Sequence, residues 1–311
     1  MTAQRMLLAD GRLHLQHGPM DIIIGADGVP AAVQQAHEAA WQRFRGLLQE
    51  LVDELPALRA PVHDRCPVRG PVARRMWQAV HPFCRVYITP MAAVAGAVAQ
   101  ELAVAYRRPG VQRAWVNNGG DIALHLTAGQ RLRVGLLADL DQWPRALAAQ
   151  GLTVDGAFEI DSGSPVRGVA TSGWKGRSFS LGIADSVTVL AATAAEADAA
   201  ATVIGNAVDV ADAVQAGVVR RPADSLREDT DLGALPVTVQ VPRLAPALVR
   251  QALAAGRAKA LALRRDGRIV SCVIACQGQV ASTEGMSGRF VPLGNGAAPR
   301  GAGRLKLLET A

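Results

Sequence analysis

Lysine is almost missing from this chain: Lys175, Lys259 and Lys306 are the only ones, and arginine carries nearly all of the +6 net charge. The arginines come in scattered pairs (Arg74-Arg75, Arg107-Arg108, Arg220-Arg221, Arg264-Arg265) with no basic stripe interleaved with aromatics. That pattern argues against nucleic-acid binding and suits anionic small molecules equally well. Aromatic residues make up only 4%. The cysteines, Cys66, Cys84, Cys272 and Cys276, lack a metal-type spacing. Cys272 and Cys276 fall on a predicted strand, about 13 Å apart, too far for a disulfide or a shared zinc. They read as reduced, buried filler. No apolar run is long and continuous enough to cross a bilayer. The N-terminal residues lack the apolar core and cleavage signal of a secretory leader, so a cytoplasmic, non-membrane protein is expected.

What is present is a foldable chain of 311 residues, 50% hydrophobic, with mean hydropathy +0.15. That composition excludes a largely disordered protein and allows a sizeable core. Residues 5–28 read as a hairpin and a third strand, and Pro30 opens a long amphipathic helix that Pro56 stops. A short helix is expected around 72–80. Thr89-Pro90 reads as a capped entry to a helix over 91–106. Strands are expected at 114–116, 122–126, 132–137, 166–170, 178–183 and 186–192, with 155–164 as a loop. Thr193 and Glu196 have the spacing of a capping box, opening a helix to about residue 208. A second antiparallel set is expected at 237–241 and 258–280, around a helix over 245–255. Strand pairs interleaved with helices predict an α+β fold, with helices on one face of antiparallel sheets. The expected organisation is a core over 1–245, a helix and hairpin over 246–290 packed on it, and a flexible tail over 291–311.

Chemistry gathers in a few places. Asp185 stands just before a strand, and Asp198 and Thr202 lie four residues apart on one helix face. A carboxylate and a hydroxyl so placed suit a hard cation such as Mg²⁺. Each also has a local explanation: Asp198 favours a helix N-terminus, Thr202 can bond back to the Asp198 carbonyl, and Asp185 can cap a turn. Asn117-Asn-Gly119-Gly120-Asp121 is a hairpin turn by composition, or a place where backbone amides and Asp121 approach a ligand. Thr171-Ser172-Gly173 is a turn between strands, or a phosphate-holding strand end. His14 and His17, read as facing the same way along one strand, offer a two-histidine metal edge or bonds to local backbone.

The order of Thr89–Gly96, Gly119-Gly120-Asp121, Thr171-Ser172-Gly173, Gly182-Ile-Ala-Asp185 and Asp198-x3-Thr202 resembles the ApbE-like superfamily, the FAD:protein FMN transferases. With His14–Asp21 and Arg74-Arg75-Met76, the chain resembles the UPF0280 branch over roughly residues 5–245. The resemblance implies a tunnel-type (T-fold) α+β architecture and FAD or FMN in a cleft. It further implies Mg²⁺ held by Asp198 and Thr202, and Gly119, Gly120, Asp121, Thr171, Ser172 and Gly173 around the flavin and its phosphates. Asp185 and Lys175 are the candidate catalytic residues. An acceptor protein and homo-oligomer formation are further implications.

The chain departs from the transferases where they carry a lysine, here Ala95, and a histidine, here Gly182. Lys175, Arg177 or His17 are the candidates to compensate. Two functions follow: an Mg²⁺-dependent flavin-processing enzyme, transferring FMN from FAD or hydrolysing FAD, or a module that binds a flavin or pterin without chemistry.

Overall fold

The computed structural model describes residues 2–136, 156–283 and 290–292. Nine strands form one antiparallel sheet. In spatial order they are β1 (Gln4–Leu7), β2 (Leu13–His17), β3 (Met20–Gly28), β4 (Val111–Asn118), β5 (Asp121–Leu126), β8 (Gly168–Ser172), β9 (Ser186–Ala191), β12 (Ser271–Cys276) and β13 (Gln279–Ser282). The sheet is open, with β1 and β13 at its edges and no closing pair among the described residues. A smaller sheet joins β6 (Arg131–Leu136), β7 (Gly156–Asp161) and β14 (Phe290–Pro292), and β10 (Val219–Pro222) pairs with β11 (Pro236–Gln240).

The helices are α1 (Pro30–Asp53), α2 (Leu55–Leu58), α3 (Pro71–Val80), α4 (Val94–Ala103), α5 (Ala194–Ala207) and α6 (Pro246–Arg265). Their apolar faces share one core with one side of the large sheet. Phe44, Leu47 and Leu51 of α1 meet Leu15 and Ile24 there. The other side holds a second core: Trp115, Ile122, Leu124 and Leu126 pack on Val134, Phe158 and Ile160 of the small sheet. Alternation along β4 and β5 sends successive side chains to the two cores. Burying each large apolar side chain contributes about 1.5–3 kcal/mol. The α+β arrangement with helices on one face is as expected.

α5 begins as its sequence signals. The Thr193 hydroxyl accepts the Glu196 N–H and donates to Glu196 Oε2 at 2.8 Å. Alanine makes up half of this helix, so it lies close on the sheet and on α4.

Several expectations are corrected. The stretch 155–164 carries strand β7, because Phe158 and Ile160 pack in the second core. Residues 178–183 form no strand; Thr238 N–H bonds Ser180 O, and Asn206 Oδ1 takes the Leu181 N–H, in an irregular segment. The last helix runs on through Arg265, since Ala260 and Leu263 continue its buried face. The 91–106 helix is α only over Val94–Ala103, with 3-10 turns on both sides. Thr89 does not cap it; its hydroxyl donates to Asp231. His14 and His17 do not form a metal edge, because three strand residues reverse a side chain's direction. His14 Nε2 meets Asp21 Oδ1 at 2.6 Å, and His17 packs edge-on against Phe44. Beyond Val291 and Pro292, the tail expected over 291–311 lies outside the described residues. Among those residues no helix is long and apolar enough to cross a membrane.

Candidate functional site

β4 and β5 join through a two-residue hairpin, with Asn118 paired to Asp121 and Gly119-Gly120 between them. Both glycines have positive φ, +65° and +113°, which this turn requires. Asn117 Oδ1 accepts the Gly120 N–H at 2.8 Å, and Asn118 Nδ2 donates to Ala95 O. The turn reading of this motif therefore holds, and the same turn lines a cleft of about 1350 Å³.

Asp121, at the start of β5, is buried and accepts the Thr171 N–H from β8 at 3.2 Å. Thr171 Oγ1 lies 2.9 Å from Thr188 Oγ1 on β9, so two hydroxyls meet across neighbouring strands. In the same cleft, Asp198 Oδ2 on α5 accepts the Gly96 N–H at 2.9 Å. Burial first, then the nearby Asp121 charge, holds the Asp198 carboxyl well above the ordinary range. Asp121 is pushed up to about 7, also by burial. Neither acid has an ion-pair partner among the described residues. The Thr202 hydroxyl, one turn further along α5, also lines the cleft and makes no hydrogen bond among those residues. Its expected bond back to the Asp198 carbonyl is not formed.

Asp185 and Lys175 are brought together on another wall of the cleft. Lys175 Nζ is 3.5 Å from Asp185 Oδ1, and Asp185 Oδ2 accepts the Gln277 N–H. Ser172 and Gly173 line the same cleft, with the α-carbon of Gly173 pressed against the Asp185 carbonyl. Arg177 also lines it, its Nη1 lying 3.5 Å from where a Cβ on Gly119 would stand. His17 is not among the lining residues.

Gly182 packs its α-carbon onto the end of α5, where Gly205 O and Val208 O leave no room for a side chain. Ala95 lines the cleft beside Asp198. Sequence reasoning missed Asn118, Thr188, Tyr87 and Asp231, all of which line the cleft. A hydroxyl interrupting the apolar run of β9 was the available signal for Thr188. Nothing local marks Asp231, which arrives from a segment far along the chain.

The open antiparallel sheet with helices on one face, and the cleft lined by the Gly-Gly hairpin and by Asp198 and Thr202, make this an α+β protein with a candidate ligand site. The chain belongs to the family described as AbpE bacteria, whose model matches residues 5–282. It is 36% identical to the UPF0280 protein of Methanothermobacter thermautotrophicus over 235 residues, spanning 73% of this chain and 79% of that one. It is 40% identical to the UPF0280 protein of Methanopyrus kandleri over 192 residues, 60% of this chain and 69% of the other. A crystal structure of the ApbE protein of Thermotoga maritima aligns over 91% of this chain and 96% of that chain, with 14% identity and a TM-score of 0.41.

Proposed function

We propose that this protein is an Mg²⁺-dependent flavin-processing enzyme that takes FMN from FAD, passing it to a protein hydroxyl or to water. One observation carries the reading: two buried carboxylates, Asp121 and Asp198, line one cleft and have no ion-pair partner among the described residues. Two such acids ionise together at neutral pH only with a counter-charge, and the adjacent Thr202 hydroxyl adds an oxygen ligand. The donor set is all oxygen, which fits Mg²⁺. The cleft is larger than a typical drug-sized site, as a dinucleotide needs.

Asp198 and Thr202 would hold the ion, with Asp121 beside them; when bound, it supplies charge neutralisation of a pyrophosphate. Gly119 and Gly120 let backbone approach the ligand, the Ser172 hydroxyl and the Gly173 backbone are offered to phosphate oxygens, and Thr171 stands behind them with its N–H on Asp121. Lys175 brings positive charge to the same wall. In the reaction the pyrophosphate P–O bond breaks and AMP leaves, while phosphorus bonds to the acceptor oxygen. Asp185 takes the acceptor's proton, and Lys175 holds that carboxylate in place. The resemblance suggests a protein acceptor and self-association as well.

The test is AMP release from FAD by the purified protein with Mg²⁺, abolished in Asp198→Asn and in Thr202→Val. Full activity in both folded variants refutes the metal assignment. The second reading, a module that binds a flavin or pterin unchanged, is favoured by the absence of space for a side chain at Gly182. A flavin that co-purifies intact, with no AMP formed on incubation with FAD, selects it.

A further inference from the structure

We propose that Asp64, His81 and Cys84 form a second metal site that takes a zinc-class ion. The three come from two stretches, the connection after α2 and the turn after α3. One carboxylate oxygen, one imidazole nitrogen and one sulfur lie within 4.8 Å of one another. None of the three side chains has a hydrogen bond or ion pair among the described residues. Ligands of one tetrahedral ion stand about 3–4 Å apart, so atoms this near one another need only small side-chain rotations to close on a shared ion.

The local backbone explains the convergence. His81 and Cys84 are the ends of one 3-10 turn, closed by the Cys84 N–H on His81 O at 3.1 Å. Residues three apart on such a turn eclipse, so both side chains project the same way. The His81 ring is further fixed by stacking on Trp77, centroids 4.4 Å apart at 29°. Cys84 and His81 are half-buried while Asp64 is exposed, so three protein ligands and an open fourth position face solvent.

Ligand chemistry selects the ion. Thiolate and imidazole suit zinc and its neighbours and discriminate against Mg²⁺ and Ca²⁺. Binding releases the Cys84 thiol proton to water. None of the three residues lines the cleft, so this site is separate from the Asp198–Thr202 pair. Both stretches nevertheless continue into the cleft wall: Val62 N–H bonds Ile88 O at 2.9 Å, and Arg59, Tyr87 and Ile88 line the cleft. A metal here clips together two segments of that wall.

The experiment titrates Co²⁺ into the metal-stripped full chain. The expected result is a thiolate-to-cobalt charge-transfer band and intense tetrahedral bands at one equivalent, displaced by Zn²⁺. The band persists in Asp198→Asn and is lost in Cys84→Ser. Zinc raises the Tm of the wild type and not of Cys84→Ser. Asp64→Asn and His81→Gln, each folded by circular dichroism, weaken zinc at least about tenfold. No charge-transfer band in the folded wild type overturns the proposal, as does a band that survives Cys84→Ser. Neither result bears on AMP release, so the two readings fail separately.

Discussion

Gly182 and Gly205 touch through backbone alone: a Cβ on Gly182 would stand 2.1 Å from the Gly205 carbonyl oxygen. The histidine of the resembled transferases therefore has no place here unless the end of α5 moves. Gly182→Ala is expected to cost about 1–3 kcal/mol by overpacking, and Gly182→His more, without gain of activity. Urea melts of both variants check this; a folded Gly182→His with raised FAD turnover would reverse the reading.

The acid pair makes stability depend on pH in an unusual sense. The ordinary carboxyl value is 3.8, whereas Asp121 in the fold ionises at about 7 and Asp198 is also raised. Between those values the folded chain holds more protons than the unfolded one, so this contribution to stability falls as pH rises. Mg²⁺ supplies the missing counter-charge, so it is expected to raise Tm strongly near pH 8 and hardly at all near pH 5. Thermal melts with and without Mg²⁺ measure it, and a shift independent of pH would contradict the pairing.

Lys175 and Asp185 are both partly shielded, with side-chain exposures of 23% and 11%. Lys175→Met is expected to cost about 1–3 kcal/mol, since it leaves the buried Asp185 carboxylate without its cation. Its effect extends to the ligand: affinity for FAD should fall about tenfold, the loss of one charge-assisted contact. Calorimetric titration with FAD decides; unchanged affinity removes Lys175 from the site.

Tyr106 is fully buried, and its hydroxyl lies 2.6 Å from His37 Nδ1 on α1. Tyr106→Phe leaves that nitrogen without its partner and is expected to cost about 1–3 kcal/mol. Burial lowers the His37 pKa from its ordinary 6.5. The unfolded chain takes this proton first, so the stability His37 contributes is present above 6.5 and lost as pH falls. That sign is opposite to the acid pair's. Melts of His37→Gln across pH separate the two.

How far the residues foretold the structure depended on locality. α1 and α5 were legible because their apolar spacing, Pro30 and the Thr193–Glu196 box act within a few residues of themselves. The Gly119-Gly120 hairpin was legible for the same reason. β7 was not, since its apolar side chains acquire a core only when Trp115 and Leu124 arrive from other strands. Residues 178–183 carry strand-like composition, but Asn206 and Thr238 claim their backbone bonds. Of the site, Asp198 and Thr202 could be paired by helical arithmetic. That Asp121 faces Asp198 could not, because the sheet and α5 set that distance.

Gln277 takes a left-handed conformation, φ +46°, in the two-residue turn between β12 and β13. Such a backbone costs a non-glycine residue about 1 kcal/mol, and three hydrogen bonds offset it. Its N–H goes to Asp185, its Nε2 to Pro242 O, and its Oε1 receives the Leu244 N–H. Gene trimming that stops the chain before β12 would thus cost more than a sheet edge. It would unmoor Asp185, leaving a shortened product whose acid could swing away from the lysine it now meets.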